Sequence, residues 1–314
     1  MHHTPFRRLF SLILVAGLAL GLSACDLLGA DDNEDDDGAQ VRLAVSETLG
    51  TILTDAQGRS LYFFANDADG LSTCVGGCAD AWPSFHAERL DGLDADLQAT
   101  DFGTITRDDG TPQTTYKGWP LYYFAPDGDG VVEPAGGVLG EGLGSVWYVA
   151  KPDYTIMVGR TQLVGNDGVD YVADIGADTV TPSEGFTRFY VDAEGRTLYR
   201  FTPDQRDTNT FTAADLSNNA IWPIFHADPA SFPSTVDGTE FGVIDVFGQP
   251  QLTWKGWPLY YFGGDDARGH TRGVSVPRAG VWPVVGGATP QAPGVTTASD
   301  GGVSDSPDDD GYGY

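Results

Sequence analysis

The sequence predicts an all-β protein built from two tandem homologous modules, and three observations support this fold class. Long motifs recur along the chain at a nearly constant interval. Aromatic and β-branched runs alternate with turn residues, and segments with helical periodicity are scarce. The 42 glycines and 19 prolines fall at strand-like spacing. We therefore expect short antiparallel strands joined by tight turns.

The chain begins with a segment typical of export. Arg7 and Arg8 precede an apolar run over residues 9–22, and Cys25 follows two small residues. The run is shorter than the roughly 20 residues that a membrane-spanning helix needs. A charged start, a short apolar stretch and a small-residue exit are instead the features of a cleaved secretory signal. We expect cleavage to remove residues 1–24.

The residues around the cleavage site predict a lipid anchor. Leu22-Ser23-Ala24-Cys25 is similar to the lipobox of bacterial lipoproteins, in which the cysteine is acylated and becomes the mature N-terminus. Buried acyl chains contribute about 0.8 kcal/mol per CH₂, so two or three of them hold a protein stably at a membrane. We therefore expect a lipid-anchored protein of the cell envelope that lies outside the cytoplasm, at the outer membrane.

An acidic segment follows the lipidated cysteine. Residues 25–40 carry seven Asp and Glu side chains and few apolar ones, so we expect an extended, disordered tether. An acidic run at this place also resembles the surface-export signals of some lipoproteins, which favours the cell surface. The whole chain has a net charge of −28. Nucleic acid and anionic headgroups are poor partners for such a surface, and a protein or glycan partner is left undefined.

The repeats define the modules. Residues 55–62 return at 192–199, and residues 117–124 return at 255–262. Two homologous copies therefore span about 41–150 and 184–286. We expect a packed connector over 151–183 and, from composition, a disordered acidic tail over 287–314.

Within each copy a shorter unit occurs twice and reads Gly-x-x-Leu-Tyr-x-Phe-x-x-Asp, with a tryptophan 20 to 25 residues after its tyrosine. Turn residues before an aromatic run predict a hairpin-based half-repeat. Because strand side chains alternate, the motif Tyr and Phe share one face and can pack together over the core. The unequal spacing of the four motifs favours two modules over the alternative of a single closed ring. The motif residues are Tyr62, Phe64, Asp67, Tyr122, Phe124, Asp127, Tyr199, Phe201, Asp204, Tyr260, Phe262 and Asp265.

With Cys25 lipidated, Cys74 and Cys78 are the two cysteines that remain, and an oxidising compartment favours their pairing. A disulfide needs Cα atoms 4.4 to 6.8 Å apart, so the segment between them has to turn, which Gly76 and Gly77 allow. A ring this small contributes about 2 kcal/mol. A redox-active pair and a metal or haem site are the alternatives.

The chain resembles the bacterial secreted-repeat lipoproteins. The resemblance lies in the four motifs and in the Trp-Pro pairs that follow them, at Trp82 and again at Trp222. The resemblance covers nearly all of residues 41–286 and implies export and a β-rich repeat fold, but no reaction. In this family a Cys-x-x-x-Cys before Trp-Pro is common, which matches Cys74 and Cys78. The second copy departs from it, with Ala214 and Asn218 at the equivalent positions.

Two histidines occupy matching places after Trp-Pro. His86 and His226 are expected to be hydrogen-bonded at strand ends, and a metal site with the cysteines is the alternative. The Asp-x-Asp-Gly loops lack the later ligands of an EF-hand, so turn chemistry explains them better than calcium. The tryptophans and tyrosines are expected to pack in the core, with stacking on sugar rings as the alternative.

The sequence favours a non-enzymatic role in envelope structure or surface interaction. No nucleophile elbow is present, and the glycine-rich residues 136–144 lack the Lys of a phosphate-binding loop. We assign no catalytic residue and expect no cofactor besides the lipid on Cys25. The alternative is a periplasmic or surface redox or metal-binding protein that uses Cys74, Cys78 and His86.

Overall fold

The computed structural model describes residues 40–228 and 231–294. The predicted signal peptide, Cys25 and nearly all of the predicted tether lie outside the described residues, as does most of the predicted tail. Within the described part of the chain, no helix is long and apolar enough to cross a membrane.

The described residues form short antiparallel strands, one α-helix and several 3-10 helices, which confirms the all-β prediction. The strands are β1 (Val41–Ser46), β2 (Gly50–Asp55), β3 (Tyr62–Phe64), β4 (Phe102–Thr106), β5 (Pro112–Tyr116), β6 (Trp119–Pro120), β7 (Trp147–Val149), β8 (Ile156–Val164), β9 (Asp170–Asp174), β10 (Thr179–Pro182), β11 (Phe186–Asp192), β12 (Phe241–Val246), β13 (Gln249–Trp254) and β14 (Trp257–Pro258). The α-helix α1 is Gly77–Ala81, and the 3-10 helices are Ala65–Asp67, Ala99–Asp101, Leu143–Ser145, Gly238–Glu240 and Arg272–Ser275.

Each half-unit begins with an antiparallel pair of strands, and the motif strand follows it. The pairs are β1–β2, β4–β5, β8–β11 and β12–β13. In two half-units a Lys-Gly turn joins the pair to the motif strand. Lys117 and Gly118 both have positive φ, as do Lys255 and Gly256, which is the backbone of a tight two-residue hairpin turn.

The third half-unit begins earlier than the sequence repeats indicated. Ile156 pairs with Asp192 at the end of β8–β11, as Val41 pairs with Asp55 at the end of β1–β2. Strand β8 is therefore the counterpart of β1, and the β9–β10 hairpin is inserted before β11. Residues 151–183, predicted as a connector, thus include the first strand of the second module. The insertion separates β8 from the Tyr199 motif of its half-unit. Because β8 itself contains no motif residue, comparison of the motifs does not identify it as part of the repeat.

The motif strands of two half-units meet at the centre of each module. Tyr62 and Tyr122 exchange backbone N–H···O bonds of 2.8 and 2.9 Å, and Tyr199 and Tyr260 exchange two bonds of 2.9 Å. Ser84 bridges to Tyr122 and β7 pairs with β3, which completes a small four-strand arrangement. The described strands form five sheets, and no closed barrel is found among them. Two modules of paired half-units describe this arrangement better than a single ring.

The second module ends later than predicted. Residues 287–294 belong to the predicted tail, but Ala292 is buried and its N–H donates to the Lys255 carbonyl. The Trp257 indole N–H donates to the Pro290 carbonyl at 2.8 Å. The Gly and Pro content of the segment suggested disorder, whereas its backbone carbonyls serve as acceptors for the module. The second module therefore includes residues 287–294.

Candidate functional site

The motif tyrosines are buried and donate hydrogen bonds to carboxylates of the opposite half-unit. The Tyr122 hydroxyl donates to Asp67 Oδ2 at 2.5 Å, although the two residues belong to different motifs. In the second module Tyr260 donates to Asp204 at 2.7 Å, and Tyr199 donates to Asp265 at 2.6 Å. Each half-unit therefore completes the polar core of its partner.

The remaining oxygen of these carboxylates is also bonded. Asp67 Oδ1 accepts from the Thr73 N–H at 2.9 Å and from the Thr73 hydroxyl at 2.6 Å. Asp204 Oδ1 accepts from the same two groups of Thr210, at 2.7 and 2.8 Å. A buried carboxylate is tolerated when its oxygens are bonded in this way. The motif Asp thus closes its own loop and binds the opposite tyrosine.

In the second half-unit, Glu133 takes the place that the sequence assigned to Asp127. Asp127 is exposed, whereas Glu133 is buried, accepts a hydrogen bond from the Tyr62 hydroxyl through Oε1, and accepts from the Leu139 N–H at 2.9 Å through Oε2. The loop after Phe124 is longer here, which moves the required carboxylate down the chain. Glu133 lies six residues before its loop donor, as Asp67 and Asp204 do, and this spacing is the signal that could have found it.

Burial shifts the ionisation of these groups. Loss of solvent raises the pKa of Asp67 to about 6 and that of Asp265 to about 7, against the lowering effect of their hydrogen bonds. Burial also raises the pKa of Asp204. The tyrosine pKa values are raised well above their usual range by burial and by the adjacent carboxylates. The shared proton therefore stays on the tyrosine oxygen.

The tryptophans and motif phenylalanines form a stack that also crosses between half-units. Trp82 and Trp147 stack with ring centroids 3.8 Å apart, Phe64 stacks on Trp147 at 4.0 Å, and Phe124 packs on Trp82 at 4.5 Å. The second module repeats the arrangement, with Trp222 and Trp282 3.7 Å apart, flanked by Phe262 and Phe201. The predicted packing of the aromatic residues is present, but each motif Phe stacks on a tryptophan of the other half-unit.

Two glycines allow this core to close. A Cβ on Gly140 would lie 2.7 Å from the Trp82 ring, and a Cβ on Gly273 would lie 2.8 Å from the Tyr199 ring. Both N–H groups lie 3.3 Å from a motif tyrosine oxygen, that of Tyr62 and that of Tyr199. The glycine backbone thus approaches the aromatic rings where no side chain fits.

Cys74 and Cys78 form a disulfide with Cα atoms 5.3 Å apart. Cys74 is fully buried within the aromatic cluster of module 1, and the Cys78 carbonyl accepts the Trp82 N–H at 2.8 Å. The bridge therefore fixes the loop that carries the stacked tryptophan.

The second module replaces this bridge with an amide side chain. Asn218, at the position of Cys78, donates through Nδ2 to the Phe211 carbonyl at 2.6 Å and accepts the Ala213 N–H at 2.9 Å. Its carbonyl accepts the Trp222 N–H, as the Cys78 carbonyl accepts that of Trp82. Residues 211–219 form a series of turns held by this side chain.

A buried arginine was not anticipated from the sequence. Arg107 donates to the Cys74 carbonyl at 2.8 Å, to Ser72 at 2.6 Å and to Gln113 at 2.7 Å. The Ser72 hydroxyl lies 2.7 Å from the Tyr122 oxygen. The network links the disulfide loop to the tyrosine–carboxylate pair. An Arg in a strand-end turn has no sequence pattern that marks it as buried.

The two histidines lie at the surface. His86 and His226 are both exposed, and His86 Nδ1 is 3.4 Å from the Thr114 hydroxyl. Among residues 40–228 and 231–294, no group of three or more His, Cys, Asp and Glu side chains is arranged to hold a metal ion.

The fold and its core define a class of protein: an all-β repeat protein whose repeats are completed in pairs. The sequence model of a family described as "secreted repeat of unknown function" matches residues 43–85, 103–151 and 243–286. The chain carries three repeats of this family, which confirms the resemblance drawn from its motifs and indicates an exported protein. The third half-unit lies outside the matched segments but has the same core contacts. No curated protein and no solved structure matches the chain.

Proposed function

We propose that the chain is a lipid-anchored envelope protein whose two modules serve as a rigid, non-enzymatic binding platform. The anchor is Cys25, after removal of residues 1–24, and residues 25–40 act as a spacer. The membrane is the outer one, with the modules at the cell surface. The lipobox, the acidic run after it and the exported character of the repeat family support this proposal.

The observation that carries the non-enzymatic role is the use made of the motif residues. The side chains that define the repeat form contacts between half-units. They are the motif Tyr, Phe and acid and the Trp that follows. Their carboxylate oxygens and phenol hydroxyls bond one another, and burial raises the tyrosine pKa values out of the range useful for proton transfer. The motif residues stabilise the fold, and we infer that binding is a property of the surface residues.

Lipid labelling tests the anchor. Cells that express the full chain are supplied with a palmitate analogue, and we expect label and membrane association to depend on Cys25. Cys25→Ala abolishes both, whereas the double variant Cys74→Ala, Cys78→Ala retains both. Retention of label in Cys25→Ala would overturn the anchor. Protease treatment of intact cells then distinguishes the surface from the periplasm.

A second experiment tests the non-enzymatic role. The purified full chain is assayed in broad hydrolase and redox screens, and its metal content and absorption spectrum are measured. We expect no turnover, no stoichiometric metal and a disulfide resistant to mild reductant. Turnover that is lost in Cys74→Ala or in His86→Ala would contradict the proposal and favour the redox or metal-binding alternative.

A further inference from the structure

Two arginines lie directly opposite each other on the β8–β11 pair. Arg160 is the register partner of Arg188, so both side chains project from the same face of the strands. Like charges placed directly across a strand pair destabilise it. In a chain with 45 acidic residues, this juxtaposition of cations is unexpected from composition.

Neither arginine forms an ion pair with a carboxylate within residues 40–228 and 231–294. The Arg160 guanidinium donates a hydrogen bond to Asn66 Oδ1 at 3.2 Å, and Arg188 is exposed. Both line a cleft of about 520 Å³. Among the described residues that line it, Asp174 has the one carboxylate, which accepts a hydrogen bond from the Ala177 N–H. The cleft therefore has positive charge that is open to an anion.

An exposed aromatic ring lies beside this pair. Phe186 is 59% exposed, and the Arg160 guanidinium covers one face of its ring at 4.7 Å from the centroid. Gln162 holds the preceding turn, because its Oε1 accepts the Gly185 N–H at 2.7 Å and its Nε2 donates to the Ser183 carbonyl. The ring is thus presented to solvent from an ordered backbone.

Two clefts lined by Phe186 are together large enough for an extended ligand. A second cleft of about 500 Å³ shares Arg160 and Phe186 with the first. Volumes of 300 to 1,000 Å³ are usual for small-molecule sites, and a single inorganic ion needs far less. The net charge of −28 disfavours a densely charged polyanion. A ligand with a few carboxylates and apolar ring faces fits both conditions.

We propose that Arg160, Arg188 and Phe186 bind an acidic sugar, with its carboxylate between the two guanidinium groups and its ring against Phe186. Guanidinium groups bind carboxylates through paired hydrogen bonds, and the CH face of a sugar ring packs on an aromatic ring. The inference rests on the proposed binding role, for which it names the ligand class, and it is independent of the lipid anchor.

Calorimetric titration of the purified full chain with trigalacturonate, at low ionic strength, tests this assignment. We expect saturable binding, at least tenfold weaker in Arg160→Gln, in Arg188→Gln and in Phe186→Ser. Arg278→Gln is the matched control, because Arg278 is exposed and lines neither cleft, and it binds as the wild type does. Circular dichroism and thermal unfolding verify that each variant is folded.

Four outcomes would overturn the proposal. These are no saturation by the wild type at millimolar trigalacturonate, an equal loss in Arg278→Gln, equally tight binding of a neutral trigalactoside, and equally tight binding of inorganic phosphate or citrate. An acidic peptide that competes better than the sugar likewise overturns the sugar assignment. Cys25→Ala protein binds as the wild type does, so failure of the anchor and failure of this site are distinguished.

Discussion

At the scale of single residues, the motif tyrosines connect one half-unit to the next through one hydroxyl each. Tyr122 and Asp67 are 2.5 Å apart at the oxygen atoms and both are buried. Removing one partner of a buried hydrogen bond destabilises the fold by more than the net free energy of the bond, because the other polar group stays buried without a hydrogen bond. The carboxylate is the more costly group to leave without a donor.

Tyr122→Phe is therefore expected to lower the free energy of unfolding by about 1–3 kcal/mol, since it leaves the Asp67 oxygen without its tyrosine donor. Urea unfolding followed by tryptophan fluorescence measures the change. Tyr190→Phe is the matched control, because the buried Tyr190 hydroxyl has no hydrogen-bond partner among the described residues, and its removal is neutral or stabilising. Equal losses in the two variants would contradict a specific role for the Tyr122 bond.

The raised carboxyl pKa values predict a pH dependence. Asp67 and Asp265 have folded-state pKa values of about 6 and 7, above the value of about 3.9 for an unfolded Asp. Between the unfolded pKa and the folded pKa, the native state therefore binds more protons than the unfolded state. Their contribution to stability is present at low pH and is lost as the pH rises through 6 to 7. We expect a higher urea midpoint at pH 5 than at pH 8.

The double variant Asp67→Asn, Asp265→Asn isolates this effect, since it is expected to flatten the dependence between pH 5 and pH 8. Asp127→Asn, Asp129→Asn removes the same number of charges from exposed positions and should retain the wild-type slope. A slope unchanged by the first pair would show that general charge repulsion, and not these two carboxyls, sets the pH dependence.

At the scale of elements, the same loop is held by two different chemistries. In module 1 the disulfide fixes the segment before Trp82, and in module 2 the Asn218 amide fixes the segment before Trp222. Both place a tryptophan at the centre of the aromatic stack. The two devices are structural equivalents, which accounts for the second copy having no cysteines.

Matched deletions test this equivalence. Cys74→Ala with Cys78→Ala is expected to cost about 2 kcal/mol, from the loop entropy of a five-residue ring. Asn218→Ala is expected to cost about 1–3 kcal/mol, because it removes both hydrogen bonds of the amide. Asn166→Ala, at an exposed position, should stay within about 0.5 kcal/mol. A neutral Asn218→Ala would contradict the equivalence.

The elements that could be predicted are those marked by duplication. The motif strands and the stacked tryptophans recur with fixed residue types, so comparison of the chain with itself found them. The place of β8 as the first strand of its half-unit could not be found in this way, since it depends on pairing with β11 across the β9–β10 insertion. The motif Tyr and Phe were expected to pack within one strand. In the structure the Tyr hydroxyl bonds a carboxylate of the opposite half-unit and the Phe ring packs on a tryptophan of the opposite half-unit. A local pattern does not contain either partner.

At the scale of the whole molecule, one hydrophobic cluster spans the two modules. Phe63, Trp119 and Tyr148 of the first module belong to the same buried cluster as Tyr190 and Trp254 of the second. The Trp119 indole donates to the Ala193 carbonyl at 3.0 Å. Residues of the two modules are therefore expected to unfold together.

Arg268 crosses from the second module to the first. It donates to the Ala68 carbonyl at 2.9 Å and to the Lys117 carbonyl at 3.1 Å, and its guanidinium lies 4.9 Å from the Trp119 ring centroid. Burial lowers the pKa of Arg268 to about 10, which still leaves it charged at neutral pH.

Differential scanning calorimetry is expected to show one transition for the wild type. Arg268→Ala should lower its midpoint, because two carbonyls and a ring lose their partner, at a cost of about 1–3 kcal/mol. Arg278→Ala, at an exposed position, should leave the midpoint unchanged. Two separate wild-type transitions would show that the modules are independent.

The exchange of polar groups between half-units is tested most directly by a double-mutant cycle on Tyr62. Tyr62→Phe, Glu133→Gln and their combination are compared by urea unfolding with the matching cycle that uses Asp127→Asn. We predict a coupling of about 1–3 kcal/mol between Tyr62 and Glu133, and none beyond error between Tyr62 and Asp127. Coupling to Asp127, or none to Glu133, would contradict the exchanged core.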